Sequence, residues 1–143
     1  MIVRPEELDG LRHAVQQLAP EFIPRSVAPA TFRQLVEAAQ GRAIPVWSGA
    51  SDKTIWGDVR TNHAFRAWHD AAHLVGRYPF TLAGEEAAWR TQVATLCFHY
   101  PQAPLLWGRL LWIEIVEQAY FHAEYGQFPA DQIAFTMAKL EQW

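Results

Sequence analysis

Apolar residues recur with a helical period in successive segments of this 143-residue chain, and proline or glycine residues separate the segments. A helix with one apolar face must bury that face against another element, so a series of such helices packs as a bundle. The segments with this pattern are residues 6–18, 31–40, 62–76, 81–100, 103–125 and 129–143. No stretch of the chain has a convincing strand pattern. We therefore predict an all-α fold in which residues 1–143 form a single compact domain of five or six helices.

Residues 42–60 lose the helical period and are rich in turn-forming residues. Large apolar side chains, among them Trp47 and Trp56, are interleaved with these turn formers, and loops of that kind usually fold back onto their domain. We predict one long ordered loop here, which lies beside the third helix and forms a wall of its pocket. Asn62 has the side chain of an N-cap residue and is predicted to begin that helix.

The charge of the chain limits its partners. The formal net charge is −3 at pH 7, and lysine and arginine residues do not cluster, which argues against extended nucleic-acid binding.

Cys97 is the only cysteine, so no intramolecular disulfide can form, as is typical of a reducing compartment. The N-terminal residues are charged, and charged residues interrupt the longest apolar run, residues 105–121. We therefore predict a cytoplasmic protein without a signal peptide or a membrane span.

The sequence His69-Asp70-Ala71-Ala72-His73 lies within the predicted third helix. Two imidazoles four residues apart project from one face of a helix, which is the spacing that one metal ion needs for two ligands. Asp70 lies between them, where it can orient a ligand or act as a general base. The same helix face carries the residue types that serve metals, anions and proton transfer: Asn62, Arg66, His69, Asp70, His73 and Arg77. An amphipathic helix with a solvated polar face is the alternative, because the opposite side is apolar: Phe65, Trp68, Ala72 and Val75.

A metal site needs at least a third ligand, and carboxylates are the best remaining donors. Glu85 and Glu86 follow the third helix after a short turn, and for either residue favourable charge at a helix N-terminus is the alternative explanation. Glu114 is flanked by apolar residues, and a buried carboxylate needs a metal, an arginine or a histidine beside it. We predict that Glu86 or Glu114 completes a shell begun by His69 and His73, with Zn, Mn or Fe as the bound divalent ion.

The five-residue motif resembles the metal sites of two enzyme families. It is similar to the HExxH motif of zincin peptidases, with Asp70 in the place of the glutamate that polarises water. His69-Asp70 followed by His73 also resembles the HD doublet of HD-domain phosphohydrolases, which are all-α and act on nucleotides or phosphate esters. In that family an earlier histidine and a distant aspartate complete the metal site. His13 and Asp131 are the candidates of the right type and order, but the separation of His13 from the doublet does not match the spacing of the family.

A longer string resembles short helical proteins encoded by bacteriophages and prophages. Residues 46–52 (VWSGASD) and 62–70 (NHAFRAWHD), followed by His73, are similar to a shared pattern of a loop and an FRAWHD…H helix. The resemblance implies a phage or prophage setting and no particular activity.

The leading hypothesis is a small helical protein that binds a divalent metal ion and, if it is an enzyme, hydrolyses a phosphate ester or nucleotide with a metal-activated water. In such a hydrolase Asp70 acts as the base, and Arg66 and Arg77 stabilise anionic charge. The alternative is a non-enzymatic phage or prophage protein that docks on a host protein or forms a homodimer. Its aromatic anchors are expected among five tryptophans: Trp47, Trp56, Trp107, Trp112 and Trp143.

Overall fold

Six helices form most of the protein in the computed structural model, which describes residues 3–143. In chain order the elements are α1 (Pro5–Leu18), β1 (Phe22–Arg25), α2 (Phe32–Ala38), β2 (Ile44–Trp47), α3 (Val59–Gly76), α4 (Leu82–His99), α5 (Leu105–Trp112), a π-helical segment (Ile113–Glu117), α6 (Gln118–Tyr125) and α7 (Gln132–Glu141). α5, the π-helical segment and α6 follow one another without a break, so residues 105–125 are one long helix. The predicted all-α fold of five or six helices is confirmed. Within residues 3–143, none of the helices combines the length and apolar character that a membrane span requires.

The main hydrophobic core forms where α1, α3 and α4 pack against the long helix. Its fully or nearly fully buried members come from all four helices: Leu11, Val15, Phe65, Trp68, Leu96, Leu110, Leu111, Ile113 and Val116. The predicted apolar side of α3 therefore faces this core, except at Val75 in the last turn, which is 80% exposed.

Two short parallel strands accompany the helices, and the prediction that the chain contains no strand is wrong at this point. β1 and β2 pair with Phe22 opposite Ile44 and Arg25 opposite Trp47, and α2 crosses over between them. Each strand has only four residues and contains a proline, so neither shows the alternating pattern by which strands are recognised. Ile44 and Val46 are buried against α2 and α3, so the small sheet covers one side of α3.

α3 begins one turn earlier than predicted. Asp58, and not Asn62, is its N-cap residue, because the Asp58 carboxylate accepts hydrogen bonds from Thr61 N at 2.7 Å and from Thr61 Oγ1 at 3.1 Å. Asparagine and aspartate are both good N-caps, and the sequence does not show which of the two has the extended backbone that a cap needs. Asn62 lies instead within the helix and is 2% exposed.

The long loop before α3 is ordered, as predicted, although β2 shortens it to residues 48–58. Ile55 and Trp56 anchor the loop in the core, and Trp56 stacks on Phe65 with ring centroids 4.4 Å apart. Arg12 of α1 donates from Nε to the Ile55 carbonyl oxygen at 2.8 Å. Trp56 is therefore a core residue, and not an exposed anchor for a partner.

We expect Asp58→Ala to lower the free energy of unfolding by about 1 kcal/mol, because the first turn of α3 loses its cap. Asp52→Ala is the matched control, since Asp52 is an exposed aspartate of the same loop and caps no helix. The control is expected to change the free energy of unfolding by less than about 0.5 kcal/mol. Urea unfolding measures both values, and equal effects of the two substitutions would contradict the assignment of Asp58 as the cap.

Candidate metal centre

His69 and His73 lie one turn apart on α3, and their imidazoles meet a carboxylate from the first turn of α4. The two Nε2 atoms are 3.1 Å apart. Glu85 Oε2 lies 2.8 Å from His69 Nε2 and 3.1 Å from His73 Nε2. These three atoms form a closed triangle, which we call the histidine–glutamate triangle.

The tight connection between α3 and α4 brings Glu85 back to the two histidines. Arg77 ends α3 in the left-handed conformation, with φ 55°, and the Thr81 hydroxyl caps α4 by accepting from Gly84 N at 3.0 Å. Gly84 is required in this turn, because a Cβ there would lie 1.9 Å from the Pro79 carbonyl oxygen. The backbone around Gly84 therefore fixes which residue of α4 faces α3.

The second ring nitrogen of each histidine is engaged as a donor. His73 Nδ1 lies 2.9 Å from the Tyr78 carbonyl oxygen, which can only accept, so this Nδ1 carries a proton. His69 Nδ1 likewise donates to Gln92 Oε1 at 2.7 Å. In the neutral rings both Nε2 atoms therefore present lone pairs to the Glu85 carboxylate. Three acceptor atoms this close together require a proton or a metal cation between them.

In the metal-free protein, Glu85 favours the protonated, positively charged form of His69. Burial alone would lower the pKa of His69, but the hydrogen bond and the charge of Glu85, together with the charge of Asp70, outweigh burial and raise this pKa above 6.5. Burial acts to raise the pKa of Glu85, whereas its hydrogen bonds to His69 and His73 lower this pKa to about 2. Both shifts favour a proton on His69 beside an ionised Glu85 where no metal ion is bound.

The donor set also fits a divalent cation. Two histidines and one glutamate are a known ligand set of catalytic zinc, in which a fourth position stays open for water or substrate. A tetrahedral zinc ion with bonds of about 2.0–2.1 Å separates its ligand atoms by about 3.3 Å. The separations in the triangle, 2.8–3.1 Å, are close to this value. Donation from both Nδ1 atoms to fixed acceptors is the usual outer support of metal-binding histidines.

A cavity of about 880 Å³ opens beside the triangle. Its walls are α3, the first turn of α4 and the long helix, with residues 26–30 and Trp47 beside them. Five of the seven predicted site residues line this cavity: Arg66, His69, Asp70, His73 and Glu114. The triangle therefore faces a space that is large enough for a small organic molecule.

Glu86 and Arg77, the other two predicted site residues, do not line the cavity. The Glu86 carboxylate lies beside the long helix, 3.5 Å from Tyr120 Oη, and Glu85 has the position that was predicted for Glu86. The reason is the rotation of α4, because adjacent helical residues point about 100° apart. Arg77 is exposed at the C-terminal end of α3, so its guanidinium cannot stabilise charge inside the cavity from this position.

Arg66 lines the cavity, but the loop before α3 engages its guanidinium. Nη1 donates to the carbonyl oxygens of Trp47 and Gly49, the latter at 2.6 Å, and Nη2 donates to that of Ala50 at 3.0 Å. The guanidinium also lies over the Trp47 ring, 5.3 Å from its centroid. Arg66 thus ties the loop to α3. Only the N–H groups that do not donate to these carbonyl oxygens are left for its predicted role, which is to stabilise an anion.

Asp70 lines the cavity next to the triangle. Burial raises the pKa of Asp70 to about 6, although attraction to a positively charged His69 opposes the shift. Among residues 3–143, no group donates a hydrogen bond to this carboxyl, so its oxygens remain available to a ligand in the cavity.

Glu114 faces the cavity from the π-helical segment, whose wider turn a helical period does not predict. Its carboxylate accepts hydrogen bonds from Thr136 Oγ1 at 2.8 Å and from Gln118 Nε2 at 3.0 Å. Burial raises the pKa of Glu114 to about 7, and these hydrogen bonds oppose the shift. Glu114 is not in the group whose ligand atoms lie within 4.8 Å of one another, which is His69, His73 and Glu85. The Glu114 carboxylate is therefore engaged by hydrogen bonds and lies outside the group that could hold a metal ion, although it was predicted as a ligand.

The two residues that the HD-domain resemblance implies are not brought to the site. Asp131 caps α7 by accepting from Ala134 N at 3.0 Å, and His13 is exposed on α1. Neither residue lines the cavity. The sequence also did not single out Gln92 and Tyr78, because nothing local marks a residue that supports a histidine from a different part of the chain.

The metal-free protein is expected to lose stability as the pH rises from about 5 to about 8. The raised pKa of His69 contributes stability that is complete below pH 6.5 and is lost as the pH rises through the folded value, and the lowered pKa of Glu85 contributes stability that is complete above pH 4.5. The raised pKa values of Asp70 and Glu114 also reduce stability as the pH rises.

Urea unfolding in the presence of a chelator, repeated from pH 4.5 to 8.5, measures this profile. Glu85→Gln is expected to flatten it, because the substitution removes the charge that raises the pKa of His69. Glu86→Gln, on the adjacent residue, is expected to leave it unchanged. A Glu85→Gln profile identical to that of the unsubstituted protein would show that the ion pair makes no contribution.

No protein-family model, curated protein or solved structure matches this chain. The resemblances to zincin peptidases, to HD-domain phosphohydrolases and to phage proteins therefore stay predictions from short motifs. The function is to be inferred from the histidine–glutamate triangle and from the cavity that it faces.

Proposed function

We propose that this protein binds one divalent cation through His69 Nε2, His73 Nε2 and the Glu85 carboxylate. The observation that supports this proposal is the convergence of three acceptor atoms within 3.1 Å while both imidazoles donate elsewhere from Nδ1. A single proton on His69 Nε2 pairs His69 with Glu85. It leaves His73 Nε2, on a fully buried ring, beside a second acceptor at 3.1 Å. A cation that all three atoms coordinate removes this remaining repulsion.

The donor types indicate which ions are suitable. Imidazole nitrogens with one carboxylate suit Zn, Mn or Fe, and zinc fits best because three protein ligands and one open position are the usual form of its catalytic sites. Calcium and magnesium prefer sites made of oxygen atoms.

We further propose that the centre supports metal-assisted hydrolysis. A divalent cation in such a site lowers the pKa of water enough to make it a nucleophile at neutral pH. Asp70 lines the same cavity and is the group placed to accept a proton or to orient the substrate. A phosphate ester or nucleotide is one candidate substrate. An uncharged ester or amide is favoured over it, because Arg66 is tied to the loop and Arg77 lies outside the cavity.

The purified, untagged protein is expected to retain close to one equivalent of Zn, Mn or Fe after dialysis, measured by elemental mass spectrometry. His73→Ala and Glu85→Gln should each weaken zinc binding at least about tenfold, since the loss of even an outer partner has that effect. Glu86→Gln is the matched control, and we expect it to bind as the unsubstituted protein does. Failure of the protein to take up any of the three ions after reloading would refute the proposal, as would a Glu85→Gln variant with full affinity.

Self-association is a second candidate function, favoured by two large apolar side chains on either side of the turn between α4 and α5. Phe98 and Leu105 are 80% and 85% exposed. Among the predicted tryptophan anchors, Trp47 and Trp143 are 41% and 53% exposed, whereas Trp56 is buried. A homodimer that covers Phe98 and Leu105 would remove both apolar side chains from water.

Sedimentation velocity over a range of concentrations tests this second candidate. A dimer is expected at the higher concentrations, and the double substitution Phe98→Ser with Leu105→Ser should convert it to a monomer with unchanged metal content. Val75→Ser is the control, because Val75 is also 80% exposed but lies at the end of α3. A monomer at every concentration would exclude self-association and would leave the metal proposal as it stands.

A further inference from the structure

Apolar side chains lie directly beside the histidine–glutamate triangle, at the turn between α3 and α4. The ring of Phe80 meets that of His73 edge-on, with ring centroids 4.9 Å apart. Leu82 begins α4 and precedes Glu85 by three residues, so the two side chains lie on the same side of the helix, one turn apart. Phe80 and Leu82 both line the cavity, and Leu82 is 36% exposed. The triangle therefore has an apolar border on the side of this turn.

The segment between β1 and α2 extends this border. All the residues from 26 to 30 line the cavity. Phe32, which begins α2, lies edge-on to Phe80 with ring centroids 6.4 Å apart, so the end of the segment is close to the turn between α3 and α4. Val27 within the segment is 82% exposed. Its side chain is therefore accessible to a molecule in the cavity.

Val27, Phe80 and Leu82 come from three separate parts of the chain and line the same cavity. Single exposed apolar side chains are common on protein surfaces, whereas several around one concave site are typical of ligand pockets. A metal ion with its water would fill little of the 880 Å³, because a water molecule occupies about 30 Å³. The remaining space can hold an organic group, and an apolar one would remove these side chains from water.

We infer that Val27, Phe80 and Leu82 form an apolar subsite for the hydrocarbon group attached to the carbonyl carbon of an uncharged ester or amide. An alkyl chain and a phenyl ring are both groups of this kind. The subsite deepens the proposed hydrolase function and rests on it for the reaction, although binding of the hydrocarbon group does not require the metal ion. In the reaction, the water oxygen would bond to the carbonyl carbon, and the bond from that carbon to the alcohol oxygen or amine nitrogen would break. One proton from the water would pass to the leaving group.

Three primary amides serve as probes. Hexanamide carries an alkyl chain and phenylacetamide a phenyl ring, whereas acetamide has the same amide group and lacks the larger hydrocarbon group. Binding to the protein is measured by saturation-transfer NMR titration, with a chelator present and again after reloading with zinc. The metal content and the thermal midpoint of each variant are recorded.

In the presence of the chelator, we expect the unsubstituted protein to bind hexanamide or phenylacetamide at least tenfold more tightly than acetamide, because the hydrocarbon group leaves water. The tighter of the two probes identifies the shape of the group. The double substitution Val27→Ser with Leu82→Ser should remove most of this preference and leave the thermal midpoint unchanged, since both side chains are exposed. Val75→Ser with Val36→Ser is the matched control, because these residues are 80% and 38% exposed and neither lines the cavity. The control should keep the full preference.

The subsite would be refuted by equal binding of all three amides, by a preference that survives the double substitution, or by loss of the preference in the control. The metal content is read separately, so the two proposals can fail independently. A protein that prefers the larger amides but takes up no Zn, Mn or Fe would refute the metal centre and not the subsite. A protein that takes up one of these ions without any preference among the amides would do the reverse.

Discussion

The close approach of α4 to the end of α3 is the constraint on which the rest of the site depends. α4 can begin against the Pro79 carbonyl oxygen only because Gly84 has no side chain, since a Cβ there would lie 1.9 Å from that oxygen. This packing turns Glu85 toward α3, and in the same connection the Tyr78 carbonyl accepts from His73 Nδ1. One short turn therefore supplies both the third corner of the triangle and one of the two bonds that orient its histidines. The positions of the three candidate ligand atoms thus depend on the backbone path of this turn as well as on the side chains themselves.

α3 serves the hydrophobic core and the cavity on its two sides. Phe65 and Trp68 pack in the core, while His73 and Asn62, at 0% and 2% exposure, belong to the polar face. A solvated polar face would leave these polar side chains in water, but here the long helix, Trp47 and residues 26–30 enclose much of it. Enclosure raises the energy of every unpaired charge on this face. The hydrogen-bond partners around the triangle are therefore needed to stabilise its charged groups.

The sequence predicts the parts of the site that depend on one element alone. The pairing of His69 with His73 follows from helical geometry, and so does the presence of Asp70 between them. The choice between Glu85 and Glu86 depends on the rotation of α4, which the packing of Gly84 sets, so no local pattern distinguishes the two carboxylates. The same holds for the π-helical segment that presents Glu114, and for β1 and β2, whose four residues each are too few for a strand pattern. The position of Asn62 is likewise not predictable from the sequence, because an asparagine side chain suits a helix cap and a cavity wall equally well.

The charge balance of the cavity connects the metal centre with the choice of ligand. Three carboxyl groups line it, those of Asp70, Glu85 and Glu114, against a single arginine that the loop already engages. Burial raises the pKa of Asp70 to about 6 and that of Glu114 to about 7, so these two groups are partly protonated near neutral pH while Glu85 remains charged. A divalent cation bound at Glu85 would offset the one carboxylate that is ionised throughout. Away from the triangle the cavity has little free positive charge with which to hold an anion, because the guanidinium of Arg66 already donates to the loop, so its walls favour uncharged ligands over anionic ones.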